Sequence, residues 1–296
     1  MATPPLTVAV LRGGTVESRH HVHAVAVQGG RVVESAGDPQ FVTFMRSAAK
    51  PLQAVPLARA RADLASTELA IASASHLARP EQLSAVSSLL VAAEATEDDL
   101  ECGLAGHPPR RLKHNCSGKH AGMLLLARTQ GWDGRDYRLP DHPVQRAMLN
   151  EISAAAAMPA DQVPIGVDGC GVVTFALPLD RIAAVFAALS ESEAGERVAA
   201  AMREHPELVR GPGAPDTDLM RALGDWTAKV GAEGLFCAAA PEGLGIALKV
   251  EDGASRAVGP AAAAFLGRLG HAFPQADATQ VENSRGEIVG EVRTAP

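Results

Sequence analysis

Alternating apolar and polar positions mark both ends of the chain as β-structure. Residues 6–11 read as a first strand, stopped by Arg12-Gly13-Gly14. Residues 23–27 and 31–34 flank Gln28-Gly29-Gly30, a composition suited to a hairpin turn. Residues 41–44 form another short strand, 244–250 a late one turned by Asp252-Gly253, and 287–292 an edge strand. The middle of the chain has helical periodicity. Helices are expected over 47–62, over 80–95 with Leu83, Val86, Leu89 and Leu90 on one face, and from Asn115 through Ala127. Others are expected over 143–158, 179–189, 193–205, 216–226 and 260–269. Residues 96–115 are polar, contain Pro108-Pro109 and read as a connector. The glycines of the 163–173 stretch indicate close backbone packing or a bulge. Without a repeat or a linker, this pattern predicts one α/β domain over residues 1–296 whose two ends meet in a single sheet.

Composition narrows the function classes. Hydrophobic residues make up 47% of the chain and charged residues 21%, which predicts an ordinary globular core. The net charge of −7 argues against a general binder of nucleic acid or membrane surfaces. No apolar run is long enough to span a membrane, and the N-terminus lacks the basic and apolar regions of a signal peptide, so a cytoplasmic location is expected. Cys102, Cys116, Cys170 and Cys237 then read as free buried thiols, with a metal-binding pair as the alternative. His21 and His23 share a strand face while His20 lies on the other, which favours surface or structural histidines over a metal site. Ser117-Gly118-Lys119 lacks the glycine spacing of a phosphate loop and has no strand leading directly into it.

The chemistry centres on Met45-Arg46-Ser47-Ala48-Ala49-Lys50-Pro51. Ser47 and Lys50 lie one helical turn apart on the same face. Pro51 suits a first helical turn, so Ser47 falls near a helix N-terminus, where backbone N–H groups favour developing negative charge. If the turn is buried, a neutral lysine can take the serine proton. If it is not, the pair is an N-cap serine and a solvated lysine. A second serine, Ser75 or Ser73, follows, and Lys229 precedes a glycine at the start of late strand pairing. Ser-x-x-Lys, a second serine and Lys-x-Gly are the elements combined by penicillin-recognising enzymes and serine glutaminases.

Longer stretches carry a more specific likeness. In order they are Gly13-Gly14-x-Val16-Glu17-Ser18-x-His20, Arg46-Ser47-Ala48-x-Lys50-Pro51-x-Gln53, Ser75-His76, Asn115-Cys116-Ser117-Gly118-Lys119-His120-Ala121-Gly122-Met123, Val167-Asp168-Gly169-Cys170 and Lys229-Val230-Gly231-Ala232-Glu233-Gly234. Together they resemble the rhizobial-type L-asparaginase II family over residues 7–258. The resemblance implies a β-lactamase/glutaminase-like α/β fold, a sheet flanked by helices with a helical part between early and late strands. It implies a homodimer that hydrolyses L-asparagine to L-aspartate and ammonia. It also implies two serine–lysine pairs, Ser47–Lys50 and Ser75–Lys229, and a zinc site at Cys116, Lys119 and Cys170 with Asp168 close by. Two departures bear on substrate choice. Residues 100–115 are shorter than the family pattern, and Leu77-Ala78-Arg79 stands where small and acidic residues are expected after Ser-His.

On this reading Ser47 is the nucleophile and Lys50 its base, Ser75 relays the proton and Lys229 holds it. The oxyanion rests on the Ser47 N–H and on an N–H of the strand after Lys229. Arg46 is a candidate for the substrate α-carboxylate, with a surface ion pair as the alternative. Asp216 and Glu233 are candidates for the α-amino group, and Asp168 is a further candidate for substrate binding. The competing readings are a glutaminase, peptidase or β-lactamase using the same residues, or a catalytically silent zinc-binding regulatory protein.

Overall fold

The computed structural model describes residues 3–273, 276 and 278–295. Its organising strand is β2. β1 (Leu6–Arg12) turns at Gly13-Gly14 into β2 (Thr15–Gln28), which turns at Gly29-Gly30 into β3 (Arg31–Ala36). All four turn glycines have positive φ, a conformation glycine adopts at little cost. β2 serves three partners. Its first half pairs with β1, and its second half pairs with both β3 and β9 (Leu244–Val250).

The sheet extends on both sides. β9 pairs with β8 (Leu235–Ala240), and β8 with β7 (Thr227–Val230). On the other flank β1 pairs with β11 (Ile288–Thr294), which pairs with β10 (Ala278–Glu282). Val8 opposite Thr294 brings the two ends of the chain together, as the sequence predicts. The late strand expected at an edge is internal; the edge belongs to β10, whose mostly exposed positions show no apolar alternation to read. β8 and β9 are buried along almost their whole length, as strands covered on both faces must be. α6 (Leu179–Ala187) and α10 (Val258–Arg268) pack against this sheet. α6 rests so closely on β9 that a Cβ on Gly245 would meet the Ala183 carbonyl oxygen at 2.0 Å.

A smaller sheet has the order β4 (Val42–Phe44), β6 (Val173–Pro178), β5 (Ile165–Val167). The glycine-rich stretch is therefore a hairpin, closed by Asp168 N–H on Val172 O at 2.8 Å and Gly171 N–H on Asp168 O at 2.8 Å.

Between the early and late strands lie α1 (Lys50–Ala60), α2 (Ser66–Ala72), α3 (Pro80–Ala92), α4 (Ser117–Gln130), α5 (Pro143–Ala155) and α7 (Glu193–Glu204). The expected first helix divides into a 3₁₀ turn, Arg46–Ala49, followed by α1. α3 and α5 each stop three residues short of expectation, shortly before Glu94 and Ala157, which take left-handed φ of 52° and 48°. α1 is buried from Lys50 to Ala58 and α4 from Ser117 to Ala127, so both are central helices rather than surface ones. The short α8 (Pro206–Val209) and α9 (Pro215–Ala222) then lead into β7. His20 and His23 are structural: His20 Nδ1 lies 2.7 Å from Asp252 Oδ2, and His23 Nε2 lies 2.8 Å from Glu251 Oε1. Among the described residues no helix is long and apolar enough to cross a membrane.

The N-terminal turn of α4 meets the C-terminal end of α2 through Gly118, where a Cβ would lie 2.2 Å from the Ile71 carbonyl oxygen. Gly118→Ala is expected to cost about 1–3 kcal/mol by overpacking. Gly267→Ala, in α10 where an added Cβ meets nothing within 4 Å, is expected to gain about 0.4–1 kcal/mol. Urea midpoints of the two variants, read against the parent, check both signs.

Candidate active site

Ser47 sits in a strained turn held from two sides. After β4 the chain is anchored by Met45, whose side chain is fully buried and whose N–H donates to Phe175 O at 2.8 Å. Arg46 N–H donates to Thr174 Oγ1 at 3.0 Å. Arg46 itself has φ 48°, a left-handed conformation that costs a residue with a Cβ about 1–3 kcal/mol. Opposite, Gly231 lets the β7–β8 turn approach: a Cβ there would lie 3.1 Å from Met45 O. Ser47 is half-buried at this junction, and its carbonyl accepts the Lys50 N–H that opens α1.

Lys50 is completely buried. Its Nζ donates to Ser75 Oγ at 2.9 Å and to Ala74 O at 2.5 Å. Burial lowers its pKa to about 8, helped by the charges of Lys119 and Lys229 and opposed by Cys116 and Cys170. Ser75 lies in an extended segment between α2 and α3, fixed by its N–H on Val209 O at 2.8 Å and by His76 N–H on Asn115 O at 3.1 Å. Ser73 is committed elsewhere: its hydroxyl donates to Leu69 O at 3.1 Å inside the end of α2. Of the two candidate second serines, Ser75 is thus the one in contact with a lysine.

Lys229, at the end of β7, does not reach Ser75 by a hydrogen bond among the described residues. Its Nζ lies 3.0 Å from Asp216 Oδ2 and donates to Val230 O at 3.0 Å, with both side chains of the ion pair fully buried. Burial pushes the Asp216 carboxyl up, but the Lys229 charge and the Val230 N–H outweigh it and hold it below the usual range. Asp216 therefore faces Lys229. Glu233 is exposed, with its carboxylate turned toward Gly253, where a Cβ would lie 2.7 Å from Oε2. After Lys229, Val230 N–H is taken by Asp216 Oδ2 at 3.0 Å and Gly231 N–H by Leu235 O at 2.7 Å. The Ala232 N–H has no acceptor among the described residues.

Beside this centre lies a sulfur cluster. Cys116 caps α4, Lys119 lies in its first turn, and Cys170 comes from the β5–β6 turn. Lys119 Nζ is 3.3 Å from Cys170 Sγ. The nearness of the two cysteines pulls Cys116 far below an ordinary thiol and pushes Cys170 above one, so the pair favours one thiolate. Burial disfavours charge on Lys119, but the charges of Cys170 and Cys116 prevail and raise its pKa. Arg46 Nε donates to Asp168 Oδ1 at 2.7 Å, and Gly169 N–H donates to the same oxygen at 2.7 Å. Arg46 and Asp168 thus tie the serine turn to the hairpin that bears Cys170. Among the described residues no three His, Cys, Asp or Glu side chains form a metal-holding group; the cluster is two thiols and an amine.

Two residues of this region have no local sequence signal. Arg210 Nη1 donates to Ser75 O at 3.3 Å across 135 positions of chain. Gln82, fully buried in α3, accepts from Leu77 and Arg79 N–H groups and donates to Glu207 and Arg210 carbonyls.

A search of curated proteins returns no match. A family model described as L-asparaginase II matches residues 8–294, and the chain belongs to that family.

The Lys229–Asp216 pair is buried deeply enough for its loss to be read as stability. Asp216→Asn leaves the lysine charge uncompensated and is expected to cost about 3–5 kcal/mol. The double variant Asp216→Asn/Lys229→Met is expected to cost less than the two single changes summed. A double-mutant cycle by urea unfolding checks this.

Proposed function

We propose that this member of the L-asparaginase II family hydrolyses the side-chain amide of L-asparagine to L-aspartate and ammonia, with Ser47 as nucleophile and Lys50 as its base. The observation that carries the reading is Lys50: wholly buried, one turn from Ser47, bonded to Ser75, with a pKa brought down to about 8. A lysine in that state accepts a proton that a solvated lysine would not.

In this scheme Ser47 Oγ attacks the amide carbon and its proton passes to Lys50 Nζ. Ser75 carries a proton from Lys50 to the leaving ammonia. The oxyanion is received by the N–H groups of Ser47 and Ala232, since those of Val230 and Gly231 are already bonded. Water then cleaves the acyl-enzyme. Lys229, fixed by Asp216, acts on Lys50 through its charge, which favours the neutral base. Arg46, with Nε on Asp168, keeps its terminal nitrogens for the substrate α-carboxylate.

The donor set at Cys116, Cys170 and Lys119 fits zinc, which takes sulfur and nitrogen ligands once they are deprotonated. A zinc ion held there would supply positive charge that orients the substrate. The reading also includes one catalytic domain over residues 1–296, fold kinship with serine β-lactamases and glutaminases, a homodimer, and a cytoplasmic location. The early-and-late strand topology around a central helical part supports that kinship.

Ammonia release from L-asparagine and L-glutamine tests the reaction. Wild type is expected to prefer asparagine, Ser47→Ala to release none, and protein purified without chelator to carry zinc. Turnover by Ser47→Ala would refute the mechanism. Because the base must be unprotonated, kcat/KM is expected to rise about tenfold per pH unit below pH 8 and level off above it. A pH–rate profile flat from pH 6 to 9 would remove Lys50 from the role.

A further inference from the structure

The segment bearing Ser75 continues through Leu77-Ala78-Arg79 before α3 begins. Ala78 takes φ 57° and ends the extended run. Leu77 and Arg79 both lie against Gly211: a Cβ built there would be 3.2 Å from Arg79 Cζ, 3.3 Å from its Nη2 and 3.3 Å from Leu77 Cδ1. Residues 209–211 run beside Ser75, joined to it by Ser75 N–H on Val209 O and by Arg210 Nη1 on Ser75 O. Arg210 thus lies beside the second serine, and Arg79 lies against the neighbouring Gly211; both arginines are half-buried.

Both are unspent. Among the described residues Arg79 donates no side-chain hydrogen bond and forms no ion pair, and the one side-chain bond of Arg210 goes to a neutral carbonyl. Nearby acids are engaged: Glu207 pairs with Arg221 and Asp216 with Lys229. A guanidinium drawn partly out of water recovers its lost hydration best from a carboxylate, which it binds through two parallel N–H bonds. Leu77, 51% exposed, adds apolar surface beside Arg79.

We propose that Arg79 and Arg210 form a subsite for an anionic leaving group, so that the substrates include asparagine-type amides whose nitrogen carries a carboxylate, that is, β-aspartyl-linked amino acids. This rests on the proposed function, in which Ser75 protonates the leaving nitrogen; whatever that nitrogen carries then lies on the Ser75 flank. The Ser47 Oγ–carbon bond forms as the carbon–nitrogen bond breaks. The amino acid leaves with the proton taken from Ser47 and relayed by Lys50 and Ser75. Water then splits the ester to give aspartate, and nothing else is consumed.

The test compares β-aspartyl-glycine with N4-ethyl-L-asparagine, a similar amide without the carboxylate, alongside L-asparagine. Wild type is expected to show a kcat/KM about tenfold higher for β-aspartyl-glycine than for the ethyl amide. Arg79→Gln is expected to erase that ratio, and Arg79→Lys to retain part of it. Calorimetric titration of Ser47→Ala with the same two amides reads the preference without turnover, with β-aspartyl-glycine about tenfold tighter. A ratio near one in wild type, a ratio untouched by Arg79→Gln, or no binding of β-aspartyl-glycine to Ser47→Ala overturns the subsite. Failure to hydrolyse L-asparagine with the binding preference intact refutes the proposed reaction instead.

Discussion

Three lysine amines share one water-poor centre, and the site is arranged around the cost of that burial. Lys50, Lys119 and Lys229 come from α1, α4 and β7, and each is 4% exposed or less. A buried cation must find an anion or lose its proton. The three residues take different routes. Lys229 has a buried carboxylate, Asp216, at 3.0 Å. Lys119 has the negative charge shared by Cys116 and Cys170. Among the described residues Lys50 bonds a hydroxyl and a carbonyl, and it feels the charges of the other two. The same desolvation that pairs two of the amines turns the third into a base.

The fold serves this arrangement by bringing backbone close to backbone. Gly118 lets α4 meet the end of α2, Gly231 lets the β7–β8 turn reach Met45, and Gly245 lets α6 lie on β9. Each is a place where a Cβ would force elements apart. The left-handed Arg46 stores strain in the turn beside Ser47, and bonds from Thr174, Phe175 and Asp168 hold it there.

The parts of the site that were legible in the sequence are those with local spacing. Ser47 and Lys50 are three residues apart at a helix start, and the glycine turns of the hairpins name themselves. The contacts that decide function are long-range and were not legible. Lys50 bonds Ser75 across 25 residues, while Ser73 donates to Leu69 O, and these two bonds separate the two serines. Asp216 reads as a candidate for the substrate α-amino group at a helix start, and its pairing with Lys229 follows from burial, which residue type does not reveal. The left-handed φ of Arg46, which opens the 3₁₀ turn, has no signal in a residue type without left-handed preference. In the fold, β10 is too polar to show a strand pattern, so β11 reads as an edge.

Two of the side chains packed around the Ser75 segment, Gln82 and His76, are neutral, and this simplifies the pH behaviour of the centre. Gln82 uses both its oxygen and its nitrogen on backbone groups of the 77–79 and 207–210 segments. His76 is held as one tautomer: Nδ1 accepts from Ala78 N–H, so Nε2 carries the proton and donates to Ser117 Oγ, which donates to Leu112 O. Burial lowers the His76 pKa to about 4, so it stays uncharged well below neutrality. Asp216 is held ionised by Lys229. As pH rises from about 5 through 8, His76 therefore stays neutral while Lys50 loses its charge. A change of rate over that range is then the signature of the base rather than of His76.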